Sequence, residues 1–480
     1  MEYIGEFGLP SKKEKFSGKV IVDNDKKTIE LILFGNHAVD GKELSNLFSS
    51  EYTRYHEVIL GDMGDQYISL IHCQLSQVKP IGKNIKQIKY HVNTIFRDIH
   101  FDSINELQVF NILVRFTWLD SWIDGMRSFN KVETIEVDKI DQKITHDFKI
   151  DENTSIQFMD SLWEKPIIGS NTLEKQYDKY LILNFQNAIN YDRCIEYVIT
   201  FKRLLDFCNQ RSNSIYLSTC ETETQYLRKY EKTYRSDSRY KFQITNYSLE
   251  ENEIEQVNAK YQREMIISGW SYSVRQMMEI IKMWFSQTEL NHIHDIYLNS
   301  ITIEEKEMSN VTYNNACLNL LQSLEDIHRK KYGNDKHDRA TFELTKKEVL
   351  RNLNKDPKLK KWTNDRLNFT KTFSFKERIE KLIIDAEVCI VEILESIVFY
   401  EEFPKLAKDF RNNLSHASFK TTYQGEIFNY VYALTKLLLT IHLMKSLNIQ
   451  DSEISNSLQK TNFVRELKRS IYPIYKEMKN

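Results

Sequence analysis

The chain has 480 residues, 41% of them apolar and 28% charged, which is the balance of a folded protein of two or three domains rather than a disordered or fibrous one. A net charge of −2 excludes a global positive field, so any nucleic-acid binding has to come from a local patch. The six cysteines (Cys73, Cys194, Cys208, Cys220, Cys317, Cys389) form no C-x-x-C pair, which argues against a disulfide scaffold or a structural zinc site and fits a reducing cytoplasm.

The first residues, Met1-Glu2-Tyr3-Ile4-Gly5-Glu6, lack the basic and apolar segments of a signal peptide, so a cytoplasmic location is expected. Up to about residue 250, β-branched and aromatic runs alternate with turn residues. Lys19–Val22 and Thr28–Leu33 flank Asp23-Asn24-Asp25, and Glu57–Leu60 and Tyr67–Ile71 flank Gly61–Asp65; both pairs read as β-hairpins. Further strands are expected over Phe110–Trp118, Val132–Val137 and Tyr180–Phe185, with a helix over Tyr191–Cys208. The region is therefore mainly antiparallel β.

At the acidic stretch Glu250-Glu251-Asn252-Glu253 the apolar period changes from strand to helix. The expected organisation is a β-rich domain over 1–250, a helical connector over 251–305 and a helical bundle over 306–480, an α+β chain in total. One helix spans about Val311–Lys331, with Asn310 placed to cap its start and Gly333 its end. Ser374-Phe375-Lys376-Glu377 has the pattern of a capping box and opens a second helix with Ile379, Leu382, Ile383 and Ala386 on its apolar side. A third begins near Pro404, with Leu406, Phe410 and Leu414 read as its buried stripe. A fourth covers about Phe428–Leu447 and is apolar nearly all round. Its most apolar window, Tyr430–Met444, is interrupted by Lys436 and His442 and falls short of the roughly 20 residues of a membrane span, so it is expected to be a buried bundle helix.

The third helix carries the residue types that phosphodiester chemistry needs. Histidine titrates near neutrality and can take or give a proton, so His416 can act as general base or acid. Arginine stays charged and its fork can hold two phosphate oxygens as negative charge builds, a role for Arg411. If Leu406, Phe410 and Leu414 face the core, then Arg411, Asn412, Ser415 and His416 lie on the outward half, with Arg411 and His416 about 140° apart. One helix does not converge them, so two copies facing across a twofold axis would make a composite cleft. Asn412 can orient a phosphate or the histidine, and Lys405, Lys408 and Lys420 flank the motif where an RNA backbone would pass.

Arg411-Asn412-x-x-x-His416 matches the R-x4-6-H motif of the HEPN superfamily, and its surroundings resemble the ApeA-type HEPN domain of bacterial antiphage defence. Leu318–Arg329 is similar to that family's first helix, and Ser374–Leu382 and Leu437–Ile449 resemble its later helices. More loosely, the β-rich region, with Trp118-Leu119-Asp120-Ser121-Trp122, looks like the family's N-terminal domain. The resemblance implies an endoribonuclease without metal or cofactor, in which the RNA 2′-hydroxyl attacks the adjacent phosphate and leaves a 2′,3′-cyclic phosphate. It further implies a toxin acting in abortive infection on host RNA, with transfer RNA favoured, as a homodimer released by a phage-derived trigger. The alternative is a HEPN module that binds RNA or nucleotide without cutting. An exposed arginine and histidine on a helix are ordinarily solvated surface residues, and the family context is what lifts these two above that.

Other constellations carry less. His292-x-His294-Asp295 has metal-ligand residue types, but imidazoles two apart on a helix point in different directions, so surface histidines are expected. Arg329-Lys330-Lys331 ends a helix, where cations complement the dipole. The 26 tyrosines and 26 phenylalanines fall mostly at core spacing, and no base-stacking platform stands out among them. Neither Cys220 nor Ser415 has a base at a recognisable spacing, and no phosphate-binding glycine loop is present.

Overall fold

The computed structural model describes residues 1–10, 12–23, 28–36, 55–64, 66–81, 85–123, 133–137, 140–166, 173–223, 239–245, 265–269, 271–305, 310–336, 338–353, 356–395, 402–415 and 426–469. The chain divides into two compact units: Met1–Asp206 with Asn213–Asn258 and Ser273–Phe285, and Phe207–Ser212 with Ala259–Tyr272 and Ser286–Asn480.

The first unit is built on antiparallel strands. They are β1 (Glu2–Gly8), β2 (Phe16–Asp23), β3 (Thr28–Asn36), β4 (Tyr55–Asp62), β5 (Tyr67–Pro80), β6 (Ile85–Val92), β7 (Thr94–Arg97), β8 (Gln108–Phe116), β9 (Glu133–Val137), β10 (Ile140–Lys149), β11 (Thr154–Pro166), β12 (Leu173–Asn190), β13 (Ile215–Glu223) and β14 (Arg239–Thr245). Both expected hairpins form: Asp23 pairs with Thr28 across β2–β3, and Asp62 with Tyr67 across β4–β5. Because β4 also pairs with β1, the order β4-β1-β2-β3-β6-β5 returns to β4, and six strands close into a barrel that leaves no free edge there. Every second residue points inward, which fills the barrel with Phe7, Val20, Leu31, Ile68, Leu70 and Tyr90. Gly61 is required by this packing, since a Cβ there would stand 2.7 Å from the Phe7 ring and from Ile68.

Strand β5 is shared, pairing over Ile68–Ile71 with β7 and so leading into the second stretch of sheet, β7-β14-β13-β8-β12-β11-β10-β9. A short helix α1 (Leu119–Ile123) and the long helix α2 (Tyr191–Asn209) cover it. The Trp118–Trp122 segment is core rather than site: Trp122 packs against Phe158 and Phe201, and Phe201 against Phe116. Helix α3 (Val274–Ser286) joins α2 through the Trp284 indole, which donates to the Thr200 carbonyl at 3.1 Å. The acidic stretch 250–253 lies outside the described residues.

The second unit is helical: α4 (Asn291–Glu305), α5 (Asn310–Tyr332), α6 (Arg339–Asn352), α7 (Pro357–Thr370), α8 (Phe375–Asp385), α9 (Glu387–Leu394), α10 (Phe403–Ser415), α11 (Glu426–Ser446) and α12 (Asp451–Gln459). Helix α4 falls in the expected helical connector and α5, α8, α10 and α11 are the four expected bundle helices; α6, α7, α9 and α12 are additional. Helix α5 is central, packing against α4, α8, α10 and α11. It ends at Gly333, whose positive φ of 79° and N–H to the Arg329 carbonyl make the helix stop. Asn310 is the first residue of α5 itself rather than a cap outside it. The capping box at the start of α8 forms as the sequence suggests, with Ser374 and Glu377 satisfying each other's backbone amides.

Helix α11 is longer than its apolar window. Over Ile427–Ser446 it has the length and composition of a membrane-crossing helix, but 78% of its most apolar stretch is buried inside the unit. Its two polar interruptions are accommodated there. Buried Lys436 pairs with Glu304 of α4 at 2.5 Å, and His442 donates from Nε2 to the Leu382 carbonyl at 3.1 Å.

Candidate active site

The phase of α10 decides where Arg411 points. The expected stripe of Leu406, Phe410 and Leu414 is corrected by the structure: Phe403, Pro404, Ala407 and Phe410 are the buried positions, while Leu406 and Leu414 are only half-buried. The true buried face is therefore rotated toward Arg411, which follows Ala407 by one turn. Arg411 does not lie on the outward half. Its side chain is 31% exposed, its Nη2 donates to Glu325 Oε2 at 3.1 Å, and its guanidinium lies 5.0 Å from the centroid of the Phe375 ring.

Glu325 gathers three guanidiniums. Arg329, one turn further along α5, reaches Oε1 at 2.7 Å, and Arg378 of α8 brings its Nε to 3.7 Å from the same oxygen. Glu325 is 11% exposed and Arg378 3%, while Arg329 and Arg411 are partly exposed and Arg329 also reaches Asp326 at 3.4 Å, so three permanent cations share two carboxylates and their inner part is buried. The Arg411 Nε is buried and makes no hydrogen bond among the described residues.

Behind Arg378 sits His328, fully buried, with Nδ1 3.2 Å from Arg378 Nη1. A guanidinium can only donate, so Nδ1 accepts and the ring proton is assigned to Nε2. Burial, with Arg378 and Lys381 nearby, pushes the His328 pKa down to about 4, which keeps the ring neutral. His328 is 0% exposed and so does not itself meet solvent.

The remaining site residues fall apart from this cluster. Lys405 and Lys408 are exposed and Asn412 half-buried on the adjoining outer side of α10, about 60° to 120° around the helix from Arg411. His416 and Lys420 lie outside the described residues. Within the unit, then, Arg411 meets Glu325, Arg329, Arg378 and Phe375, and not the two lysines. The sequence held a signal for this: Arg378 stands between Phe375, Ile379 and Leu382 on the apolar face of α8, where a charged residue implies a buried partner.

The other constellations resolve into structure. His294 is buried, contrary to the expectation of a surface histidine, while His292 is exposed beside Asp326 at 3.5 Å. The basic run ending α5 has partners beyond the helix dipole, as Lys331 pairs with Asp385 and Lys330 donates to the Glu289 carbonyl. All six cysteines are buried and unbridged. Among the described residues no three His, Cys, Asp or Glu side chains gather as a metal site.

Comparison with curated proteins and with solved structures returned no match. Two family models do match: ApeA N-terminal domain 1 over residues 2–267 and the Apea-like HEPN domain over residues 318–453, the latter containing Glu325, Arg378 and Arg411. HEPN domains are generally ribonucleases that commonly bind RNA and dimerise. The chain belongs to the ApeA-like HEPN antiphage proteins, whose helical domain serves a nuclease-type defence role.

Proposed function

We propose that the chain is an endoribonuclease toxin of antiphage defence that needs no metal, with Arg411 and His416 as its catalytic pair. The observation that carries this reading is the cluster around Glu325. Three guanidiniums meet two carboxylates, Glu325 and Asp326, at the family-matched helix, which leaves one cationic charge in excess for a phosphate, and Arg411 is more exposed than Arg378. Arg411 stabilises the charge that develops on the phosphate, and His416 moves the 2′-hydroxyl proton. The hydroxyl oxygen attacks the phosphorus, the 5′-oxygen leaves with a proton, and the products are a 2′,3′-cyclic phosphate and a 5′-hydroxyl. Asn412, Lys405 and Lys408 line the outer side of the same helix and hold the RNA backbone on approach.

In this reading two copies pair their HEPN units into a composite cleft in the cytoplasm. The β-rich domain restrains the pair until a phage-derived signal arrives, and host RNA, transfer RNA in the first place, is cut so that infection aborts. Exposed loops suit such an enzyme because their bases are unstacked. The test is expression of the wild type, Arg411→Ala and His416→Ala in cells, followed by sequencing of RNA ends bearing 5′-hydroxyls. The nuclease reading expects new ends with the wild type and a loss of at least 100-fold with either variant. Unchanged defence with His416→Ala would instead support a binding module that does not cut.

A further inference from the structure

Between α5 and α8 the chain makes an excursion that is pinched at its base. Asp335 and Thr372 form an isolated antiparallel bridge, the Lys336 N–H donates to the Lys371 carbonyl at 2.8 Å, and the Phe373 N–H to the Asn334 carbonyl at 3.3 Å. Within the excursion α6 and α7 pack against each other, each opened by a real cap. Asp338 accepts from the Thr341 N–H at 3.0 Å, and Asp356 from the N–H groups of Lys358 and Leu359, with Pro357 in the first turn.

This hairpin buries little. Among the described side chains of residues 338–367 only Phe342 is buried, while Trp362 is 58% exposed. Among the described residues the helix pair therefore adds little apolar burial to the core. Its charge is distinctive as well: residues 339–370 hold nine Lys or Arg against four Asp or Glu, in a chain whose net charge is −2. Lys358, Trp362 and Arg366 recur every four residues, so all three share one exposed stripe of α7, about 12 Å long from end to end. The Arg366 guanidinium lies over the Trp362 ring at 5.5 Å from its centroid, and Trp362 remains 58% exposed to a planar partner.

We propose that the α6–α7 hairpin is a docking arm for unpaired RNA, with a base stacked on Trp362 and the flanking phosphates held by Lys358 and Arg366. An exposed aromatic ring set between cations is what single-stranded nucleic acid requires, because every base has a face to stack and every linkage a charge to neutralise. A duplex keeps its bases stacked on one another and offers only its backbone. The inference rests on the nuclease reading above and names its substrate class.

The experiment uses the full chain carrying Arg411→Ala, so that RNA is bound without being cut, and follows the fluorescence anisotropy of a labelled single-stranded oligoribonucleotide and of the same sequence as a blunt duplex. Trp362→Ala is expected to weaken single-strand binding about tenfold or more and duplex binding less than threefold, with Trp362→Phe restoring most of the loss. Lys358→Glu with Arg366→Glu is expected to flatten the salt dependence of binding. In the Arg411 background of the wild type, cleavage with Trp362→Ala is expected to show a raised KM and an unchanged kcat. If RNA is cut normally and Trp362→Ala changes neither affinity nor KM, this proposal falls and the nuclease reading stands. If Trp362→Ala changes the sedimentation of the chain but not its RNA affinity, the face is a protein interface and the proposal falls likewise. A chain that neither binds nor cuts RNA overturns both.

Discussion

Replacing Glu325 by Gln keeps the shape of the side chain and removes only its charge, which isolates the electrostatic role of the cluster. Arg378 is 3% exposed, and without the Glu325 carboxylate its hydrogen-bond partners are all neutral, Asn334 Oδ1 at 2.5 Å, the Phe373 carbonyl at 3.2 Å and His328, with Asp326 acting on it only through space. Removing one member of a buried ion pair typically costs about 3–5 kcal/mol, because the other charge is stranded. The neutral hydrogen bonds place this case at the low end, about 3 kcal/mol, and Arg411, a third exposed, adds less than about 1 kcal/mol. Hydrogen exchange on peptides of α5 and α8 reads this locally, without assuming that the two units unfold together. Protection of the slowest amides there is expected to fall on the order of 100-fold. A fall of less than about fivefold would refute the claim that Glu325 supports Arg378. The pair Glu325→Leu with Arg378→Met is expected to recover most of the loss, since apolar residues of similar volume commonly replace a buried pair at little cost; strictly additive effects would refute the pairing itself.

The stability of the HEPN unit is expected to fall on acidification between about pH 6.5 and 5. Burial is the main cause that holds both His328 and His442 down to about 4, so the unfolded chain takes up protons over this range that the folded chain refuses. Each contributes a slope of up to about 1.4 kcal/mol per pH unit, and His328→Gln should remove one of the two in urea unfolding measured at pH 7, 6 and 5. The carboxylates do not confuse this window. Glu377 is drawn down to about 2 by its hydrogen bond from Lys336, so its contribution is complete above about pH 4.5 and is lost only below that. Gly61→Ala is expected to destabilise the barrel by about 1–3 kcal/mol, because the added methyl meets the enclosed Phe7 ring; exchange should quicken in β1 and β4 while α5 and α8 keep their protection.

The two N-terminal hairpins were legible because their turn residues and β-branched runs encode local structure. Closure of the barrel was not, since the β1–β4 pairing joins segments with no common local signal. Helices α5, α8 and α11 announced themselves through apolar residues at three and four, which is the imprint of a core on a sequence. Helices α6 and α7 left no such imprint because they bury only Phe342 among their described side chains, and a period cannot be read from a surface. The phase of α10 is hidden in the sequence for a related reason. Ala407 is small enough to be passed over beside Leu406 and Leu414, yet it is the residue at which α10 approaches its neighbours, and a shift of that size turned Arg411 from solvent toward Glu325.

Arg378 explains why the site and the hairpin belong to one design. Its Nε faces Glu325 and also donates to the Phe373 carbonyl, while its Nη2 holds Asn334; these last two residues are the strands of the neck from which α6 and α7 project. The same buried guanidinium therefore fixes the root of the excursion and the carboxylate that Arg411 contacts. The neck joins the hairpin to the bundle at both ends, and the groups that hold it are one contact from Arg411. Lysine at position 378 would keep the charge but offers a single ammonium in place of a planar fork, so it cannot hold Glu325, Asn334 and the Phe373 carbonyl in fixed directions at once. The geometry thus demands arginine there for a reason that neither the bundle core nor the Arg411 contact would supply alone.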